Sequence, residues 1–310
     1  MKPRIKDNYK TSTSQLFSFV PNSYLDRTSR PIYALVYLLV FMIIYEVGTI
    51  AINPEILSRS MTDTRIVVSF AWGQNLLEYL GFSQRMTWIA MPLVVMVILL
   101  ALQITSKTRW HVRLKDFTPM TFECILLAIP LIVLSLLFNR SPQANTDTMA
   151  FRSQATAVTR MHSPAITLQA QVPVSQTQTV SSSYHNEVNP LLVNIVTGIG
   201  AGIYEEFVFR LILICLLMLL LQDFLNISWQ GSIFLSISIA ALLFSAHHHI
   251  FFVDGRFQTG EPFSISKFIF RTLAGVYFAV LFAIRGFGIT AGTHAFYNII
   301  AAGVNAFLFT

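Results

Sequence analysis

The run PLLVNIVTGIGAGIYEEFVFRLILICLLMLLL, residues 190–221, decides how this chain folds. Its only charged residues are Glu205, Glu206 and Arg210, and it exceeds the roughly 20 apolar residues that cross a bilayer as a helix. Working outward, runs of the same kind occupy 229–249, 265–284 and 289–308 on one side, and 32–52, 87–104 and 120–138 on the other. These runs predict an all-α polytopic membrane bundle of about seven to eight transmembrane helices. Composition agrees. Of 310 residues 54% are apolar and 12% charged, against roughly 25% charged in a soluble domain, and the mean hydropathy is +0.60.

The segments between the runs set the organisation. Basic residues crowd the N-terminal arm (Lys2, Arg4, Lys6, Lys10, Arg27, Arg30) and the loop holding Lys107, Arg109, Arg113 and Lys115. Two spans separate these segments, so both lie on one side, which the positive-inside rule makes cytoplasmic. The net charge of +6 therefore reflects membrane orientation, and nucleic-acid binding is excluded. Residues 64–82 mix apolar positions with Arg65, Gln74, Asn75 and Glu78, as an amphipathic helix at the interface would. Cys124 and Cys215 sit within apolar runs, so no disulfide framework is implied. The polar, basic first 30 residues are unlike a cleavable signal peptide. Residues 139–189, rich in Ser, Thr, Gln, Ala and Val, show no helical period and are expected to be an extracytoplasmic linker without order of their own. The chain thus divides into an arm and three-span region (1–138), a linker (139–189) and a second membrane bundle (190–310). No repeat relates the halves, which weighs against an inverted-repeat transporter.

Charged side chains at bilayer depth cost roughly 2.5–3.5 kcal/mol on insertion scales, so each needs a reason. Glu46 and Glu123 stand alone near the ends of their spans, where interfacial exposure or a packing hydrogen bond accounts for them. Glu205 and Glu206 project about 100° apart on a helix and so face different partners. Glu206 and Arg210 are spaced i, i+4 with the acid first, the favourable order for an ion pair. That leaves Glu205 unpaired in its own helix. The run 229–249 ends Phe244-Ser-Ala-His247-His248-His249, with Phe244 and His248 on one face. The last run carries His294 and Asn298, again at i, i+4. Each pattern alone has a bland reading: a charge network, a helix-end cap, a pair of packing donors. Together they provide a carboxylate, an imidazole and a His/Asn donor pair on separate apolar helices. Hydrolysis of an amide by water requires such a set, because a base must activate the water and donors must hold the oxyanion.

Glu-Glu-x-x-x-Arg, then Phe-x-x-x-His, then His-x-x-x-Asn, each in its own hydrophobic helix and in this order over about 190–305, resembles the CPBP family, the CAAX-protease and bacteriocin-processing (Abi-type) membrane peptidases. The resemblance implies an intramembrane endopeptidase acting on a membrane-associated peptide or protein. Glu205 and His248 would activate water, and His294 and Asn298 would form the oxyanion hole. Helix geometry, apart from the resemblance, gives Glu206, Arg210 and Phe244 supporting roles. The resemblance also implies a metal-free mechanism without cofactor. Zinc is the alternative, with Glu205, His248 and His294 as ligands and an open fourth position. No His-Glu-x-x-His, Gly-x-Ser-Gly or Gly-x-Gly-Asp occurs near these helices to suggest another class of intramembrane protease. Gly198, Gly200 and Gly202 precede no strand and read as close helix packing. Two rival readings remain, a transporter using Glu205 and the histidines as a proton relay, and a non-catalytic immunity or scaffold protein. A simple span count sets His248 near the outer end of its helix and His294 near the inner end of its own, so some helix must be tilted, broken or deeper than the hydropathy suggests.

Overall fold

The computed structural model describes residues 19–52, 64–139, 158–161, 189–253, 256–260 and 262–308. Nine helices and two short antiparallel ribbons make up these residues. The helices are α1 (Tyr24–Thr28), α2 (Pro31–Ile52), α3 (Val68–Tyr79), α4 (Gln84–Ser106), α5 (Phe117–Asn139), α6 (Pro190–Phe224), α7 (Trp229–Ala246), α8 (Ile265–Arg285) and α9 (Phe287–Leu308). Strands β1 (Thr64–Val67) and β2 (Val158–Met161) pair with each other, as do β3 (Ile250–Val253) and β4 (Arg256–Thr259).

Six helices are long and apolar enough to cross a membrane, in α2, α4, α5, α6, α7 and α8. The protein is a multi-pass, all-α membrane protein. Side chains on the outer faces are apolar, among them Ile43, Val47, Ile89, Leu93, Leu126 and Leu242, all exposed. Lipid accepts such faces because every backbone group of a helix is satisfied within it. The helix α9 has the length of a span yet stands outside the six by hydropathy. It lies inside the bundle, where protein rather than lipid surrounds Thr290, Thr293 and His294, all buried. Counting α9, the described bundle has seven long helices, the lower of the two expected numbers.

Helix ends follow local chemistry. The Asn189 side chain caps the Leu191 N–H and Pro190 occupies the first turn of α6, where its missing N–H costs nothing. Ser228 caps α7 through the Gly231 N–H. Between α8 and α9 stands Gly286 alone, at φ 77°, a left-handed value that other residues rarely adopt. The chain reverses there while still within protein: Phe287 through Ala295 are all buried. The difficulty over depth is thereby resolved, since α9 starts inside the bundle and carries His294 to the level of the other motifs. The roof over that end is α1. Buried Arg285 pairs with Glu123 at 2.6 Å and donates to the Thr28 hydroxyl and the Leu25 carbonyl. Glu123 is therefore not isolated, and Tyr24 also donates to it. Glu46 likewise accepts from Tyr204, at 3.2 Å.

Three expectations change. Helix α7 stops at Ala246, short of 249, because His247–His249 form a hydrogen-bonded turn leading into β3. The stretch 64–82 is a strand followed by a helix, β1 and α3, rather than one helix. Within 139–189, expected to lack order, Asn139 ends α5 and Val158–Met161 forms β2. The rest of that segment to residue 188 lies outside the described residues, as does the N-terminal arm to residue 18.

Candidate active site

The carboxylate pair sits mid-way along α6, where the helix is fully buried, and Phe207 immediately begins a π-helical stretch to Ile214. Such π turns inside α-helices recur at functional sites. Glycines press α6 onto α9. A Cβ on Gly202 would lie 2.5 Å from the Ala295 backbone nitrogen, and one on Gly198 would lie 2.7 Å from the Asn298 Cβ. This close approach brings Glu205 and Glu206 against the ring of His294.

Glu206 and Arg210 form a buried ion pair, with Oε2 3.1 Å from Nε, and both side chains are at most 1% exposed. Arg210 also donates to the Gly275 carbonyl at 3.3 Å and lies over the Phe244 ring, 4.2 Å from its centroid. The second Glu206 oxygen lies 2.7 Å from His294 Nδ1. Glu205 approaches the other edge of the same imidazole, 3.9 Å from Nε2. The two adjacent acids thus meet one ring at its two nitrogens, a sharing not expected from their divergence on the helix. It arises because the ring of α9 inserts between them. Phe278 of α8 stacks on that ring at 4.5 Å and fixes its plane.

His248 follows α7 in the turn. Its Nδ1 is 3.1 Å from the Phe244 carbonyl and its ring stands edge-on to Phe244 at 5.3 Å, so Phe244 braces it through both backbone and side chain. Ser245 anchors this end of α7 to α8 by donating to the Phe268 carbonyl at 2.8 Å. Asn298 donates one amide hydrogen to the Gly198 carbonyl at 3.1 Å, which leaves its second N–H available.

Glu205, His248, His294 and Asn298 all line one cavity of about 30 Å³, together with Phe244, Phe278 and others. A single water needs roughly 10–15 Å³, so the space admits one. The structure therefore brings the four sequence-derived candidates to one place, with Glu206 and Arg210 behind them. Sequence reasoning missed two residues. Arg271 of α8, buried, lines the same cavity. It lies in a run read only as a span, and its positive charge at bilayer depth was the available signal. His247 was seen only as part of a histidine tract, yet its Nε2 lies 3.7 Å from Glu205 Oε1.

That proximity alters the alternative metal set. Glu205, His247 and His248 have ligand atoms all within 4.8 Å of one another, and no other such trio occurs among the described residues. His247 thus takes the place in which His294 was expected. Two histidines and a carboxylate, with both imidazole Nδ1 atoms held near the Phe244 carbonyl, suit zinc by donor type and by the outer hydrogen bonding its ligands usually have.

A buried carboxylate, imidazoles and an amide thus line one water-sized cavity within the membrane bundle. Residues 187–300 match the family model of the type II CAAX prenyl endopeptidases, Rce1-like. No curated protein and no solved structure matches the chain.

Proposed function

We propose that the protein is an intramembrane endopeptidase that cuts a peptide bond near the end of a membrane-anchored chain, with prenylated CAAX-type peptides as the first class to test. One observation carries this reading: Glu205 on α6, His248 after α7, and His294 and Asn298 on α9 converge on one cavity. The family whose model residues 187–300 match supports the substrate class through its name.

In this mechanism Glu205 takes a proton from a water oriented between it and His248, and the oxygen attacks the scissile carbonyl. Negative charge develops on the carbonyl oxygen. In this reading the free Asn298 N–H and a doubly protonated His294, which can donate to Glu206 from Nδ1 and to the oxyanion from Nε2, would hold it. Glu205 then passes its proton to the leaving amine. Glu206 holds His294 by Nδ1 and Arg210 by Nε, keeping the ring edge aimed at the cavity. Should zinc bind, Glu205, His247 and His248 would hold it, and it would polarise the carbonyl and acidify a bound water. We favour the metal-free route, in which Glu205 is the base and His294 and Asn298 donate to the substrate. We place the protein in the cell membrane with its N-terminus cytoplasmic, as the basic segments suggest.

Glu205→Gln tests the proposal. It preserves size and removes the base, so cleavage of a fluorogenic S-farnesyl CAAX peptide in proteoliposomes should fall by orders of magnitude while insertion and folding persist. Wild-type cleavage by Glu205→Gln would refute the assignment, and loss of proton-coupled uptake instead would favour a transporter.

A further inference from the structure

His247 makes the nearest imidazole approach to Glu205, yet it is not among the residues lining the cavity. It stands behind the carboxylate. Its side chain is 4% exposed and that of Glu205 1%. His247 Nε2 and Glu205 Oε1 have no hydrogen-bond partner elsewhere, and they face each other across 3.7 Å. The ring cannot swing away. Its Nδ1 is 2.6 Å from the Phe244 carbonyl, and Phe209, Phe244 and Trp72 surround it at 4.7, 5.5 and 5.8 Å between ring centroids. Its Nδ1 also lies 3.1 Å from the Nδ1 of His248, so Nε2 is the nitrogen left to meet Glu205. Of the other groups near Glu205, Arg210 spends Nε on Glu206 and one terminal nitrogen on the Gly275 carbonyl, and His294 spends Nδ1 on Glu206.

We propose that His247 is the positioning residue of Glu205, holding Oε1 from behind so that Oε2 faces the cavity and His294. This is the third member that a base usually has, a group that orients it without touching substrate. Its kinetic consequence rests on the peptidase reading, whereas the contact itself does not.

Two substitutions separate positioning from packing. In His247→Gln the amide reaches about as far as Nε2, and in His247→Asn only about as far as Nδ1. On the farnesylated CAAX peptide, His247→Asn should lower kcat roughly tenfold to a hundredfold at unchanged KM, the usual cost of losing such an outer partner. His247→Gln should recover most of that loss, with both variants melting alike. Equal loss in the two, or none in His247→Asn, overturns the proposal. Independently of any substrate, the full chain labelled with ¹⁵N-histidine in micelles should show the His247 Nε2 signal moving in Glu205→Gln, and an unmoved signal overturns it. One zinc per chain in wild type, absent from His247→Asn, overturns it in favour of a ligand role. If wild type leaves the peptide uncut, the peptidase reading fails, while the spectra still decide the contact.

Discussion

Replacing Arg210 with Met should destabilise the protein far more than its neutral, similarly long side chain suggests. Arg210 is 1% exposed, its Nε is 3.1 Å from Glu206, and its guanidinium lies over Phe244 at 4.2 Å. Removing one partner of a buried pair leaves the other charge uncompensated, at a cost of about 3–5 kcal/mol. The lost cation–π contact adds about 1–2 kcal/mol, part of which a Met sulfur against the same ring restores. With roughly 2–4 °C per kcal/mol for domains of 150–250 residues, and the lower end for this longer chain, the apparent Tm should drop by about 6–12 °C. Glu206→Gln with Arg210→Met removes both charges, and such replacements are often close to neutral. The double variant should therefore melt above Arg210→Met, with a coupling of about 2–3 kcal/mol. Some loss should remain, because Glu206 also holds His294 at 2.7 Å. Thermal unfolding of all four proteins in one detergent at one scan rate provides the cycle. An Arg210→Met protein as stable as wild type, or a double variant no better than the single, would refute the buried pair as a structural element.

Asn298→Ala removes a donor beside His294 and should reduce turnover by about 10²–10³-fold with substrate affinity nearly unchanged, read from kcat and KM separately. Gly202→Val forces side-chain atoms onto the Ala295 backbone, 2.5 Å from where a Cβ begins, so α6 and α9 must separate; size-exclusion chromatography should show a misfolded or aggregated protein, and a monodisperse active one would contradict the packing. An N-terminal epitope should be cleaved by added protease only after cells are permeabilised, and cleavage on intact cells would reverse the proposed orientation.

The membrane class and the three motifs were legible in the sequence for a local reason. Hydropathy needs only length and composition, and i, i+4 spacing is a property of a single helix. Glu206 with Arg210, and Phe244 with His248, are pairs of this kind, and the structure places each pair in contact. The glycines at 198 and 202 were similarly readable as close-packing positions, although not which helix they admit. Partners distant in sequence were not readable. Glu123 finds Arg285 and Tyr24, and Glu46 finds Tyr204, because tertiary packing lets buried acids seek donors wherever the fold supplies them. The same holds at the site. That Glu205 and Glu206 meet opposite nitrogens of His294 follows from α9 beginning inside the bundle after the Gly286 turn. That His247 rather than His294 joins Glu205 and His248 as the trio of closest ligand atoms follows from α7 ending at Ala246. A helix continued to 249 would have set the three histidines on diverging faces. Local sequence thus determined which residues were dear enough to bury, and only the depth and termination of two helices decided which of them meet.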